Sequence, residues 1–474
     1  MEEILSVGID IGTSTTQVIF SRLGLENEAS YFSVPRVEIV HKTVIYKGAV
    51  HRTPLLDHFR LDGDGIRALV EQEFRAAGVR PSQVQTGAVI ITGESARKEN
   101  SALVLDKLSQ LAGDFVVSTA GPDLEAILAG KGSGAYTYAR EHQCRTVNLD
   151  IGGGTSNIVL FGPDGAVQAR GCVDIGGRQI QVGRDWRVQS CGAGAQAVAA
   201  ASGVTLTPGS PISPETLEQM CGRMAALLLE LAEGRTSPLL EQIRTPGSSL
   251  YHPPGPPQAV FFSGGVADCV YHPPEDSLIY GDIGVLLGRA IRAEAGFSRY
   301  TVVAGQETIR ATVVGAGSYT TSVSGSTISY SDHVLPQKNL PVLKLTPEEQ
   351  EACFQGECAA LEQRVGWFFS QNDTDRLLLA LPGRPDPSYG ALQQLAGAVA
   401  RLVNACFSPG APVFLAVECD MAKALGQVLA RQLPDRPLVV IDSVCLEENE
   451  YLDIGRPVLN GLAVPVVVKT LIFG

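Results

Sequence analysis

Asp10 and Asp150 are the residues best placed to do chemistry: each closes an apolar strand and opens a turn of small, hydroxyl-bearing residues. Residues 7–20 read V-G-I-D-I-G-T-S-T-T-Q-V-I-F and residues 147–160 read V-N-L-D-I-G-G-G-T-S-N-I-V-L, aligned without a gap at an offset of 140 (Asp150 minus Asp10). Strand, tight turn and strand make a β-hairpin, and the glycines allow close backbone approach. Turn amides after Gly12 and Gly152 form nests for anions. Thr13, Ser14 and Thr15 on one side, and Gly153, Gly154 and Thr155 on the other, add donors without bulk. A polyphosphate suits two such nests. Two carboxylates would repel it without a cation, and Mg²⁺ needs only one or two carboxylates beside water and phosphate oxygens. Asp10 and Asp150 are therefore expected to orient hydrated Mg²⁺. A single Asp-Ile-Gly reads equally well as an ordinary strand end, and the second copy in the same register is what argues against that.

A third piece follows at residues 261–266, F-F-S-G-G-V, a buried strand opening onto a bare Gly264-Gly265 turn on which a base and ribose could lie. Around these pieces the pattern alternates. Helical periodicity runs over 65–77, 101–111, 122–129, 215–231 and 281–292, and a helix is expected to start at Arg178. Short strands are expected at 89–92, 115–118, 167–173 and 259–262. Two Tyr-His-Pro-Pro segments, at 251–254 and 271–274, read as rigid exposed loops. Residues 302–323, rich in Thr, Val, Ser and Gly, read as strands and turns. Beyond them, helices at 343–368 and 389–405 alternate with strands at 377–381, 413–417, 438–441 and 464–472, the pattern of another α/β unit.

Composition narrows the class. Of 474 residues 45% are hydrophobic and 18% charged, against about 25% charged in an ordinary domain, which excludes a disordered chain. A net charge of −13 argues against a protein that grips nucleic-acid phosphates. Ten cysteines without a C-x-x-C pair read as reduced core residues. No run of eighteen uncharged apolar residues and no signal peptide is present, so a cytoplasmic protein with neither a membrane nor a nucleic-acid partner is expected.

The order of phosphate hairpin, phosphate hairpin and Gly-Gly turn resembles the actin, sugar-kinase and heat-shock-70 ATPase superfamily over residues 1–300. Asp174-Ile175-Gly176-Gly177 falls where that superfamily closes its second hairpin and begins a helix. Residues 122–130 and 281–288 resemble its first and second connecting helices. The resemblance implies an α/β fold: a two-lobed actin-like ATPase (ribonuclease H-like) core with an additional C-terminal α/β domain. Lobe I is expected over residues 1–145, lobe II over 146–300 and the added domain over 301–474.

Within the superfamily the chain is most similar to the ethanolamine ammonia-lyase reactivating factors. The motifs are S-V-G-I-D-I-G-T-S-T-T-Q-V-I-F from Ser6, I-T-G-E-S-A-R-K-E-N from Ile91, N-L-D-I-G-G-G-T-S-N-I from Asn148, F-F-S-G-G-V-A-D from Phe261 and V-V-G-A-G-S-Y-T-T-S-V-S-G-S-T-I from Val313. This implies an ATP- and Mg²⁺-dependent chaperone that binds ethanolamine ammonia-lyase and lets damaged cobalamin be exchanged for adenosylcobalamin, which it meets through the lyase. It further implies ATP/ADP as cofactor, a cytoplasmic place beside a bacterial microcompartment, and compatibility with a homo-oligomer. Carried over by position, Asp10 and Asp150 hold Mg²⁺, the two turns hold phosphates, Gly264 and Gly265 line the adenosine pocket, and Glu125 with Asp150 is catalytic. Glu125 would stand near the attacking water; read plainly it is a solvated helix glutamate. The first turn lacks the lysine of some relatives, so slow hydrolysis is expected. A small-molecule or acyl kinase and an actin-like structural ATPase are the rival readings. No D-x-H-x-x-G motif is present, and the Asp62-x-Asp64…Glu73 spacing fails as a calcium loop because Ile66 and Arg67 occupy its ligand and turn positions.

Overall fold

A computed structural model describes residues 2–27, 37–57, 60–93, 95, 99–109, 118–119, 121–319, 322–324, 327–371, 374–448 and 450–470. Its first sheet comprises β1 (Glu2–Ile11), β2 (Thr15–Asn27), β3 (Val37–Lys47), β4 (His51–Arg52), β5 (Thr86–Ile91) and β6 (Ser118–Thr119). The order is β3-β2-β1-β5-β6, with β1 to β3 antiparallel and β5 and β6 parallel to β1; β4 adds to the turn end of β2. Helices α1 (Gly63–Ala76) and α2 (Ser101–Ser109) flank it. Asp62 caps α1 by accepting the Gly65 N–H at 2.9 Å, and Asp64 pairs with Lys107, so the apparent calcium loop is a helix start. Most of the strand expected at 115–118 and the end of the helix expected at 101–111 lie outside the described residues.

After α3 (Pro122–Gly132) and α4 (Ala135–Glu141), the second sheet takes β7 (Thr146–Ile151), β8 (Ser156–Phe161) and β9 (Val167–Val173). A small hairpin, β10 (Ile180–Val182) with β11 (Val188–Cys191), occupies the place where a helix was expected at Arg178; helix α5 (Ala193–Ala201) begins later. Then come α6 (Pro214–Ala232), α7 (Pro238–Gln242), β12 (Ala259–Ser263), α8 (Ala267–Tyr271), α9 (Gly284–Ala293) and β13 (Thr301–Val303). The order β9-β8-β7-β12-β13, antiparallel over the first three strands and parallel from β7 to β12 and β13, repeats the topology of the first sheet. This is the ribonuclease H-like arrangement, present twice.

The helices that join the lobes are α3 and α10 (Ala311–Tyr319). Residues 281–288, expected to form the second connector, lie instead around α9, which packs on α6 and α8 inside lobe II. Segment 311–319 (A-T-V-V-G-A-G-S-Y), inside the stretch whose composition predicts strands and turns, is rich in β-branched residues and glycine, which are poor helix formers. Packing overrides that preference: Cβ atoms added at Gly132 and Gly315 would lie 1.8 Å from the Ala311 oxygen and 2.0 Å from the Leu128 oxygen. Only two glycines let these backbones touch. Helices α3 and α4 also pack across β7 and β8, so the first-lobe segment expected to end at 145 delivers both to lobe II.

The third sheet contains β14 (Ser322–Ser324), β15 (Ser329–Tyr330), β16 (Gln337–Lys344), β17 (Leu378–Leu381), β18 (Val413–Val417), β19 (Leu438–Asp442), β20 (Glu450–Ile454) and β21 (Val464–Thr470). Parallel strands β16 to β19 form its centre, with α11 (Pro347–Phe354), α12 (Ala359–Gln371), α13 (Tyr389–Cys406) and α14 (Ala422–Gln432) on one face. The single helix expected at 343–368 is two, since Leu343 belongs to β16 and Gln355–Cys358 is a turn. Ile4, Leu23 and Leu25 of lobe I pack with Val458 and Ala463, and Val467 packs with Ala88, Ile90, Leu128 and Ala316. Among the described residues the apolar clusters bind this unit to lobe I and to the connecting helices α3 and α10, and none binds it to the strands of lobe II. No helix among them is long and apolar enough to cross a membrane.

Candidate functional site

Strand β1 delivers Asp10 and β7 delivers Asp150 in matching registers: Asp10 faces Gln17 across its hairpin, and Asp150 faces Asn157. Both turns close on the same bond, Gly12 N–H to the Thr15 oxygen and Gly152 N–H to the Thr155 oxygen, each 2.9 Å. Lobe I reinforces its turn with Thr53 and Ser95, whose hydroxyls donate to the Gly12 oxygen at 2.7 and 3.1 Å. The sequence repeat is thus a repeat of backbone geometry.

The carboxylates converge. Asp10 is 8% exposed and accepts the Thr92 hydroxyl at 3.0 Å. Burial pushes its pKa from 3.8 up to about 7, and the Asp150 charge adds to the rise. Asp150 is 5% exposed and accepts the Ser263 hydroxyl at 2.6 Å, with further bonds from Asn157 and Thr312; burial still carries it up to about 6. Glu125, in the first turn of α3, is pushed well above the ordinary range by burial and then by the charges of Asp150 and Asp10. It accepts the Gly93 N–H at 3.3 Å and a bond from Asn157. Glu125 is half-buried and lies within reach of the Asp10 and Asp150 charges, so it is not the solvated helix glutamate of the plain reading.

Three amide oxygens, on Gln17, Asn148 and Asn157, are buried here without a hydrogen-bond donor. Buried acceptors without donors are costly, and three carboxylates beside them leave an excess of hard oxygens, the ligands Mg²⁺ prefers. Among the described residues no three His, Cys, Asp or Glu side chains are grouped to ligate a metal by themselves.

At the third piece, Gly264 has φ +84° and donates its N–H to the Thr308 oxygen at 3.0 Å; an added Cβ would lie 2.4 Å from the Ile151 oxygen. Beyond Gly265 lies open space. Of the two Tyr-His-Pro-Pro segments expected to be exposed, Tyr251 is buried and the Tyr271 hydroxyl is fixed on the Phe262 amide at 3.0 Å. Sequence reasoning also missed Thr92, Ser263, Thr312 and Arg178. The amides Gln17 and Asn157, each seven residues after its aspartate, carried a readable signal in the repeat.

Two ribonuclease H-like sheets, crossed connecting helices and a glycine turn beside an acidic cleft define the actin-like ATPase fold. Over residues 2–474 the chain matches the family described as ethanolamine utilisation protein EutA, and it belongs to that family. It is 39% identical over 471 residues, 99% of each chain, to the ethanolamine ammonia-lyase reactivase EutA of Salmonella typhimurium. The reactivase EutA of Escherichia coli is 38% identical over 471 residues, again 99% of each chain. Among solved structures, the Ppx/GppA phosphatase of Aquifex aeolicus is similar over 66% of this chain and 99% of its own, at 12% identity and a TM-score of 0.39.

Proposed function

We propose that this chain is an ATP-dependent reactivase of ethanolamine ammonia-lyase that promotes exchange of damaged cobalamin for intact coenzyme. Family membership supports the lyase as partner, because both curated relatives carry that activity in their names. The observation that carries the nucleotide site is the convergence of Asp10, Asp150 and Glu125 between two identically closed turns. Thr13, Ser14, Thr15, Gly153, Gly154 and Thr155 then hold phosphates, and Gly264 and Gly265 lie against the adenosine. Asp10 and Asp150 would hold Mg²⁺, which when bound neutralises phosphate charge. Glu125 orients the attacking water and takes its proton. Nucleotide turnover changes the angle between the lobes, and the C-terminal unit, packed on lobe I, moves with it. A difference in lyase affinity between ATP and ADP states is what lets that motion act on the partner.

The test mixes this chain with cyanocobalamin-blocked lyase, ATP, Mg²⁺ and adenosylcobalamin. Recovery of lyase activity that requires both ATP and Mg²⁺ is the expected result. A phosphorylated small molecule without recovery would favour the kinase instead.

A second expectation concerns pH. Empty, the site holds carboxyls whose folded pKa values lie above their unfolded ones, so their contribution to stability is full below about pH 4 and is lost as pH rises through 6 and 7. Binding a cation requires the ionised forms and so releases protons. Calorimetry of Mg²⁺-ATP binding at pH 6.5, in buffers of different ionisation enthalpy, should show net proton release that disappears near pH 8.5. Binding heats independent of buffer at both pH values would contradict it.

A further inference from the structure

The residue after the second Gly-Gly of lobe II, Arg178, belongs to neither turn, yet it touches both. Its backbone N–H donates to the Gly153 oxygen at 2.6 Å, which fastens it to the second phosphate turn. Its side chain then runs across the cleft, and Nη1 donates to the Ser14 hydroxyl of the first turn at 2.8 Å. On the way it covers Gly153, where an added Cβ would lie 3.2 Å from both Arg178 Cδ and Ser14 Oγ. The bond joins residues 164 positions apart and bridges the two lobes where their turns face each other.

The chemistry of that contact is unbalanced. A guanidinium offers five N–H donors in a rigid fork suited to paired oxygens. Here it meets one neutral hydroxyl, and among the described residues no carboxylate lies at ion-pair distance. Asp282 feels the Arg178 charge but spends its own oxygen on the Gly284 N–H at 2.9 Å. A solvent-exposed arginine bonded to a serine between two anion nests is a cation awaiting an anion.

Building on the nucleotide reading above, we infer that Arg178 is a terminal-phosphate sensor: it releases Ser14 for the phosphoryl group that spans both turns, and so selects ATP over ADP. Without nucleotide the Arg178–Ser14 bond latches one lobe to the other. With a triphosphate, one hydrogen bond to a neutral hydroxyl is replaced by bidentate ones to an anion, in which both partners are charged. With a diphosphate no group spans both turns, and the latch reforms. Arg178 thus supplies the positive charge that the first turn lacks, from the opposite lobe.

The experiment measures ATP and ADP affinities, each with Mg²⁺, for the whole chain and for Arg178→Met and Arg178→Lys. Methionine keeps the apolar stem over Gly153 and deletes the charge; lysine keeps the charge and loses the fork. For Arg178→Met, ATP affinity should fall about tenfold or more while ADP affinity changes less than about threefold. Arg178→Lys should lie between Met and wild type for ATP. Equal changes for both nucleotides, or none, would overturn the inference, and thermal melting with ADP bound confirms that each variant is folded. If the wild-type chain binds neither nucleotide, the nucleotide reading fails first and takes the sensor with it; normal wild-type binding with an unselective Arg178→Met removes the sensor alone.

Discussion

The Asp150→Asn variant is expected to lose nucleotide-dependent reactivation by about 100-fold or more, a range typical of removing a preorganised electrostatic group from a catalytic site. At the same time it should stay folded. Asparagine is isosteric with aspartate and can still accept the Ser263 hydroxyl through its carbonyl, so the bond at 2.6 Å has a substitute. What disappears is the negative charge that a cation and its phosphate need. The stability sign is opposite to the functional one. Burial raises Asp150 to about 6, so above that pH the folded state holds an ionised carboxylate it would rather protonate. Asparagine removes that cost, and the ligand-free variant should melt at or above the wild-type temperature at pH 8. Asp10→Asn should behave likewise, with its crossover nearer pH 7. Reactivation rates set beside thermal melts with and without Mg²⁺-ATP check both halves. Activity within about fivefold of wild type would remove Asp150 from the mechanism.

The two hairpins of the candidate site are legible for a reason specific to this chain: two fourteen-residue segments repeat without a gap, and a hairpin is a local structure whose geometry is set by its own residues. Glu125 is reachable only through the family likeness, because the first turn of α3 has the composition of a surface helix, Pro-Asp-Leu-Glu, and the packing of α3 on β7 and β8 comes from elements its own sequence does not announce. Arg178 was invisible for the same reason, since its meaning lies in a residue 164 positions away. The connecting helix α10 departs from the strands its composition predicts because its sequence favours strand locally and helix only when α3 and β1 press on it. The attachment of the C-terminal unit to lobe I is the extreme case. Glu2 accepts the Leu459 N–H at 2.5 Å, and nothing in either local sequence signals a partner 457 residues distant. Periodicity reports what a residue faces within its own element, while contacts between elements leave no periodic trace.

Gly315→Ala should be among the most destabilising single methyl additions to this protein. An added Cβ lies 2.0 Å from the Leu128 oxygen and 2.6 Å from its carbon, both backbone atoms of α3 that no rotamer change can move aside. Helix α10 cannot retreat, because its opposite face is held by β1: a Cβ at Gly8 would already lie 2.6 Å from the Val313 oxygen, and Ser6 donates to the Gly317 oxygen at 2.6 Å. The strain must therefore open either the crossing of the two connectors or the packing of α10 on lobe I. Overpacking against side chains costs about 1–3 kcal/mol. Against backbone on two sides we expect more than about 4 kcal/mol, the range reserved for severe core damage. Gly222→Ala is the control. Gly222 lies inside α6, its added Cβ meets nothing within 4 Å, and alanine there should stabilise by about 0.5–1 kcal/mol. Denaturant melts of both variants decide the point: a collapse for Gly315→Ala beside a gain for Gly222→Ala supports a crossing in backbone contact. Comparable stability of the two variants would mean that the connectors stand apart, and the lobes would then lack the close pivot on which any nucleotide-driven rotation depends.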